Sequence, residues 1–161
     1  MSSQPILLRP AQETDAWVLS AIHIAAIKAL PTTFYNRQEL LAWRNYRNHP
    51  DGASILKHLK LPTIWVAIAQ ENITGFASYI ADELIALYVH PHYQSQGIGR
   101  TLVEHFFHSA KQQGVDRVFT TASLYAEGFY LRLGFTPINT VPHHLGKGLI
   151  VPVIEMTKEL K

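Results

Sequence analysis

The chain contains no cysteine. Disulfides, thiolate metal sites and a cysteine nucleophile are therefore excluded, and a reducing compartment suits it. Charge is scarce as well: Asp, Glu, Lys and Arg supply 16% of the 161 residues, against about 25% in an average globular protein. The 14 basic and 12 acidic residues leave a net charge of +2, which is no electrostatic footprint for nucleic acid. With 47% hydrophobic residues, the chain also lacks the composition of a disordered protein. Long apolar runs are missing. The longest apolar region, Ala16 to Leu30, is broken by Ser20, His23 and Lys28, so no membrane span is expected. The first ten residues show no basic start leading into an apolar stretch, so no secretory signal is read and the cytoplasm is the expected location.

What is present reads as one domain over residues 1–161, with no repeat, linker or low-complexity tract. Ile6 to Arg9 is a short strand before Pro10. Thr14 or Asp15 caps a helix running to about Leu30, with Val18, Ile22, Ala25, Ala26 and Ala29 on its apolar face. Asn36 and Glu39 form a capping box for a second helix carrying Leu40, Leu41 and Trp43 and bounded by Pro50. Asp51 caps a third short helix with Ile55 and Leu59.

From Ile64 the pattern changes. Ile64–Ala69, Ile73–Ile80 and Glu83–Val89 are three consecutive strands with short turns, an antiparallel meander. A helix over Gly97–Gln113 and a strand over Val118–Ala122 then make a crossover, which places parallel strands side by side. A short helix over Ala126–Leu133 and strands at Phe135–Val141 and Leu149–Met156 complete the chain. The class is α+β: a mostly antiparallel sheet with one parallel pair, flanked by helices.

The stretch Leu87-Tyr88-Val89-His90-Pro91-His92-Tyr93-Gln94-Ser95-Gln96-Gly97-Ile98-Gly99-Arg100 runs strand, loop, glycine turn, helix. Glycines let the backbone approach a ligand closely, and the unpaired N–H groups of a helix start favour an anion there. Two common phosphate motifs do not apply. Leu102 stands where a dinucleotide fingerprint needs its third glycine or alanine, and no Gly-Lys-Ser/Thr of a P-loop is present. The histidines form no recognisable metal-site pattern, so no metal is expected.

Gln94-x-x-Gly97-x-Gly99 after a strand ending Leu-Tyr-Val resembles the acetyl-coenzyme A (acetyl-CoA) motif of the GNAT superfamily of N-acetyltransferases. The run Ala122 to Phe135, with Tyr130 shortly before Gly134-Phe135, looks like that superfamily's later motif. The opening Leu8-Arg9-Pro10-Ala11 with Asp15 and the closing Val153 to Lys158 extend the likeness over almost the whole chain.

The resemblance implies a splayed parallel strand pair that admits the pantetheine arm. Main-chain groups of Leu87, Tyr88 and Val89 would meet that arm, and Gln94, Ser95, Gln96, Gly97, Ile98, Gly99 and Arg100 would cradle the pyrophosphate. Ser123 stands where many relatives have a cofactor-contacting asparagine. Tyr130 would protonate the departing thiolate. Glu83 is the best candidate for the base that receives the amine proton. Tyr35 and Trp43 lie where the acceptor pocket is built, and Phe34 and residues 143–148 could close it. The implied activity is acetyl transfer from acetyl-CoA to a primary amine of a small molecule or peptide, by direct attack. A coenzyme A-binding sensor or scaffold without turnover is the alternative, and Tyr130 favours the enzyme. Homodimerisation is compatible with the superfamily.

Overall fold

The computed structural model describes residues 4–46, 55–56, 59–146 and 148–161. In chain order, β1 (Leu7–Pro10) leads through a single 3-10 turn (Glu13–Asp15) into α1 (Ala16–Lys28) and α2 (Arg37–Tyr46). The meander β2 (Ile64–Ala69), β3 (Asn72–Ile80) and β4 (Glu83–Val89) follows. Then come α3 (Ile98–Gln112), β5 (Arg117–Ser123), the short α4 (Glu127–Arg132), β6 (Thr136–Gly146) and β7 (Leu149–Glu159). The strands form a seven-stranded sheet of order β1-β2-β3-β4-β5-β7-β6, antiparallel except at β4–β5. The expected class, mostly antiparallel with one parallel pair, is the one observed.

The sheet is covered on both faces. On one face Leu102, Val103 and Phe106 of α3 pack with Ala67, Ala77 and Leu84. On the other, Leu19 and Ile22 of α1 pack against Val66 and Phe76, while Leu40 and Trp43 of α2 pack against Val151 and Val153. The face of α1 differs from expectation. Val18 and Ala29 are exposed, whereas Leu19, Ile24 and Ile27 are buried. This helix is apolar nearly all round, so periodicity gives it little direction; the sheet's position selects the face.

Two local devices fix the helix starts. Asn36 N donates to Glu39 Oε2 at 2.9 Å and Glu39 N donates to Asn36 Oδ1 at 2.8 Å, the reciprocal box expected. Asp15, buried, accepts from both terminal nitrogens of Arg9 at 2.7 and 3.0 Å and from Gln12 N at 2.8 Å. The Arg9 guanidinium holds its carboxyl below the usual aspartate range. We expect Asp15→Ala to cost about 1.5–3 kcal/mol, the scale of bonds to a charged group. For a chain of this size that is a fall of about 2–4 °C in melting temperature per kcal/mol. Because the folded pKa is depressed, this contribution is present above the unfolded value near about 3.9 and is lost as pH falls through the folded pKa. Thermal melts at neutral and acid pH should show the gap between wild type and variant closing on acidification.

The third helix is largely outside the described residues, Pro50 and Asp51 included; Ile55 and Leu56 are helical. β6 runs past the expected end at Val141 to Gly146. It is the edge strand, so Pro137 and Pro142 leave no ladder bond unmade on its free side. Residues 143–146, expected in a loop, are therefore strand residues, and Lys147 lies outside the described set.

Candidate active site

β4 and β5 pair only at Glu83↔Phe119 and Leu84↔Thr120. The cause is visible in the next register along. β3 pairs Ser78 with Ala86 but Tyr79 with Leu84, so Ile85 is the extra residue of a β-bulge. A bulge shifts the alternation of side chains. Leu84 packs on the α3 side, Ala86 and Tyr88 on the α1 side, and Leu87 and Val89 on the α3 side again. Past the bulge the two strands separate. The Thr120 hydroxyl donates to Leu84 O at 3.0 Å and braces the vertex.

The resulting cleft has a volume of about 750 Å³. His90 N donates to Thr74 O of β3 at 2.8 Å. By alternation, the main-chain groups of Val89 and Leu87 point the other way, into the cleft. Gln94 Nε2 donates to Val89 O at 3.3 Å and ties the following loop back to the strand. In that loop Ser95 has φ 62° and Gly97 has φ 87°. Two left-handed residues so close together curl the backbone, and such a curl turns successive N–H groups into one concavity. Gly97 then heads α3, a helix of 15 residues. A Cβ at Gly99 would stand 3.2 Å from the Phe129 ring, tight enough that the ring would have to yield by a few tenths of an ångström. Arg100 forms an exposed pair with Glu104 at 2.9 Å.

The sequence-predicted residues fall into two groups. Glu83, Leu87, Tyr88, Val89, Gln94, Ser95, Gly97, Ile98, Gly99, Arg100, Ser123, Tyr130 and Trp43 all line this one cleft. Gln96, Phe34 and Tyr35 are not among its lining residues. Gln96 Nε2 donates instead to His92 O at 3.2 Å. Phe34 is exposed and meets the cleft-lining Tyr125 edge-on at 5.9 Å. Tyr35 is buried; its hydroxyl donates to Pro152 O at 3.1 Å and accepts from Leu124 N at 2.7 Å. Burial pushes this phenol up to about 12, which keeps it a donor. It brackets the wall from behind, with Trp43 edge-on at 5.2 Å. The Ser123 hydroxyl accepts from Ala126 N at 3.2 Å, so it caps the turn after β5 as well as facing the cleft.

Tyr130 lies at the vertex end, edge-on to Phe129 at 5.1 Å and Phe135 at 5.3 Å. Burial holds its phenol well above the ordinary tyrosine value, Tyr88 adds to this, and the Thr120 side chain opposes it. A tyrosine so placed keeps its proton at every working pH. Glu83 is the only carboxylate among the described lining residues, at the closed end of the cleft. Arg100 and Arg132 line it elsewhere. Sequence reasoning missed Ile27 of α1, Leu30 just after that helix, Tyr125, Phe129, Arg132 and, as a lining residue in its own right, His143. Tyr125, Phe129 and Arg132 lie inside the Ala122–Phe135 run that resembles the later motif, a signal that could have found them, whereas Ile27, Leu30 and His143 arrive through tertiary packing. A main-chain edge, a backbone curl at a helix start and a slot between strands lie along one cleft.

A family model described as an acetyltransferase (GNAT) domain matches residues 60–137, from the approach to β2 into β6. The chain is 29% identical over 133 residues, 83% of each length, to an uncharacterized N-acetyltransferase, YafP, of Escherichia coli. It superposes with a TM-score of 0.86 on a GCN5-related N-acetyltransferase from Rhodopseudomonas palustris, at 28% identity, covering 99% of this chain and 98% of that one. The PaiA N-acetyltransferase of Thermoplasma acidophilum, solved in complex with coenzyme A, shares the fold at a TM-score of 0.71 and 20% identity, over 96% and 99% of the two chains.

Proposed function

The chain belongs to the GNAT superfamily, an acyltransferase family whose acyl donor is acetyl-CoA, and from that premise we propose that it acetylates a primary amine of a small molecule or peptide by direct attack. The observation that carries this reading is the bulge-opened cleft, which holds a main-chain edge, a phenol and a carboxylate in one continuous space.

Acetyl-CoA, the acyl-donor substrate, supplies an activated acetyl thioester. The curl at Ser95–Gly97 and the start of α3 receive its pyrophosphate through backbone N–H groups. Main-chain groups of Leu87 and Val89 align the pantetheine arm. A backbone N–H on this edge polarises the acetyl carbonyl, an electrostatic contribution realised most fully as charge develops on oxygen. Glu83 draws the acceptor's ammonium to the closed end and receives a proton from it, directly or through water. Tyr130 gives its proton to the departing sulfur. Trp43 forms part of the acceptor wall, with Phe34 and Tyr35 supporting it from outside and behind.

The test is release of free thiol from acetyl-CoA across a library of primary amines. Release with at least one amine, reduced by about 10² or more in Glu83→Gln, is the expected outcome. Binding of acetyl-CoA without release for any amine would favour a sensor or scaffold. No binding at all sinks the acetyl-transfer reading.

A further inference from the structure

The proton balance of amine acetylation leaves one proton without a destination in the reading above. The acceptor enters as an ammonium with three hydrogens on nitrogen, and the amide product keeps one. Two protons therefore leave nitrogen, and they leave at different moments. The first must go before attack, to free the lone pair. The second becomes acidic only when the C–N bond forms and nitrogen turns positive. Glu83 accounts for the first. A neutral base facing the acceptor from another wall could take the second directly.

His143 is the only histidine among the described lining residues of the cleft. Alternation along β6 places it on the same face as Val141 and Leu145. Both of those pack with Trp43 of α2 in the cluster behind the acceptor end. Its register partner on β7 is Val151, fully buried in that cluster. The nearby lining residues Ile27, Leu30, Trp43 and Val153 are apolar. Among the described lining residues, His143 is the one imidazole, and it comes from a different strand than Glu83.

We propose that His143 is a second catalytic base, which takes the proton that leaves the acceptor nitrogen after attack; this rests on the acetyl-transfer reading above. The step balances. Glu83 passes the first proton to water. The amine lone pair forms the C–N bond, and the nitrogen's extra proton moves to the imidazole. The C–S bond breaks with its electron pair going to sulfur, and Tyr130 protonates that sulfur. The imidazolium returns its proton to water and the phenolate of Tyr130 recovers one from water. Per acetyl transferred, one proton is released.

A lowered pKa favours the neutral ring that the role requires. Burial lowers its pKa from the ordinary histidine value, and the adjacent His144 lowers it further. The other titratable groups on the surrounding elements include Glu83 and Tyr88 of β4, Tyr125 after β5, Tyr130 and Arg132 of α4, His23 and Lys28 of α1, Arg37 and Glu39 of α2, and Glu155, Lys158 and Glu159 of β7.

The experiment compares pH profiles of kcat for the wild type, His143→Gln and His143→Ala, with coenzyme A affinity and melting temperature as controls of the fold. His143→Gln should lose about 10² in kcat, and the acidic limb set by the imidazole should disappear. Added imidazole should restore part of the rate of His143→Ala. A kcat within about twofold of wild type, or a reduced rate that keeps the same acidic limb and gains nothing from imidazole, overturns the proposal. Thiol release by the wild type separates that failure from a failure of acetyl transfer itself, in which no amine releases thiol and both readings fall.

Discussion

Tyr130→Phe should lower kcat by about 10²–10⁴ while leaving coenzyme A binding nearly unchanged. The substitution keeps the ring, and with it the edge-on packing against Phe129 and Phe135. It removes only the hydroxyl. A thiolate leaving without a proton donor is poorly stabilised, so the loss falls on chemistry and not on binding. Burial raises the Tyr130 pKa above the ordinary tyrosine value. The wild type should therefore show no basic loss of rate from this group up to and beyond the ordinary tyrosine range. Steady-state kinetics over a pH series, with calorimetric coenzyme A titration of both proteins, gives the answer. A kcat unchanged in the variant would assign sulfur protonation to water. A large rise in coenzyme A dissociation constant would make Tyr130 a binding group instead.

The second large effect belongs to the curl before α3. Gly97→Val should raise the dissociation constant for coenzyme A by about 10–100-fold, where each tenfold is about 1.4 kcal/mol. Gly97 sits at φ 87°, and a non-glycine residue in the left-handed region costs about 1–2 kcal/mol, more for a β-branched one. The chain escapes that cost by rotating the backbone, which turns the N–H groups at the start of α3 away from the phosphates. Nothing but the Ile6 side chain lies within contact range of a Cβ at Gly97, so steric collision is not the cause. Gly97→Ala should show the same effect at smaller size. Calorimetric titration with coenzyme A measures both. Undiminished affinity in Gly97→Val would remove the curl from the phosphate site.

These two residues also differ in how they could be found. Gly97 announces itself, because a Gly-x-Gly between a strand and a helix is local chemistry. Tyr130 does not: its position in a short helix says little until the later motif is matched to a family. The same division runs through the fold. Glu83–Val89 has the strand bounds expected from composition and turn residues. The Asn36–Glu39 box forms as expected, because its two bonds span three residues.

The bulge at Ile85 carries no sequence mark. It lies where β4 keeps its pairing to β3 on one side and leaves β5 on the other. Tyr35 was expected in the acceptor pocket, yet its hydroxyl is held by Pro152 and Leu124, residues more than eighty positions away in the chain. His143 reaches the cleft because edge strand β6 continues through Pro142, where a local reading ends the strand. α1 shows the general cause. Its surface is apolar nearly all round, so its own residues do not choose the buried face; the sheet does.

The sequence by itself determined the class of the fold, the order of its elements and the glycine turn before α3, since each rests on contacts between residues a few positions apart. It also determined, through the absence of cysteine, that no thiol of this chain carries the acetyl group. Only the tertiary structure decided how wide the strands part, which face of α1 is hidden and which side chains share the cleft. Those depend on contacts between residues far apart in the chain, where small shifts in register move a side chain from one face of the sheet to the other.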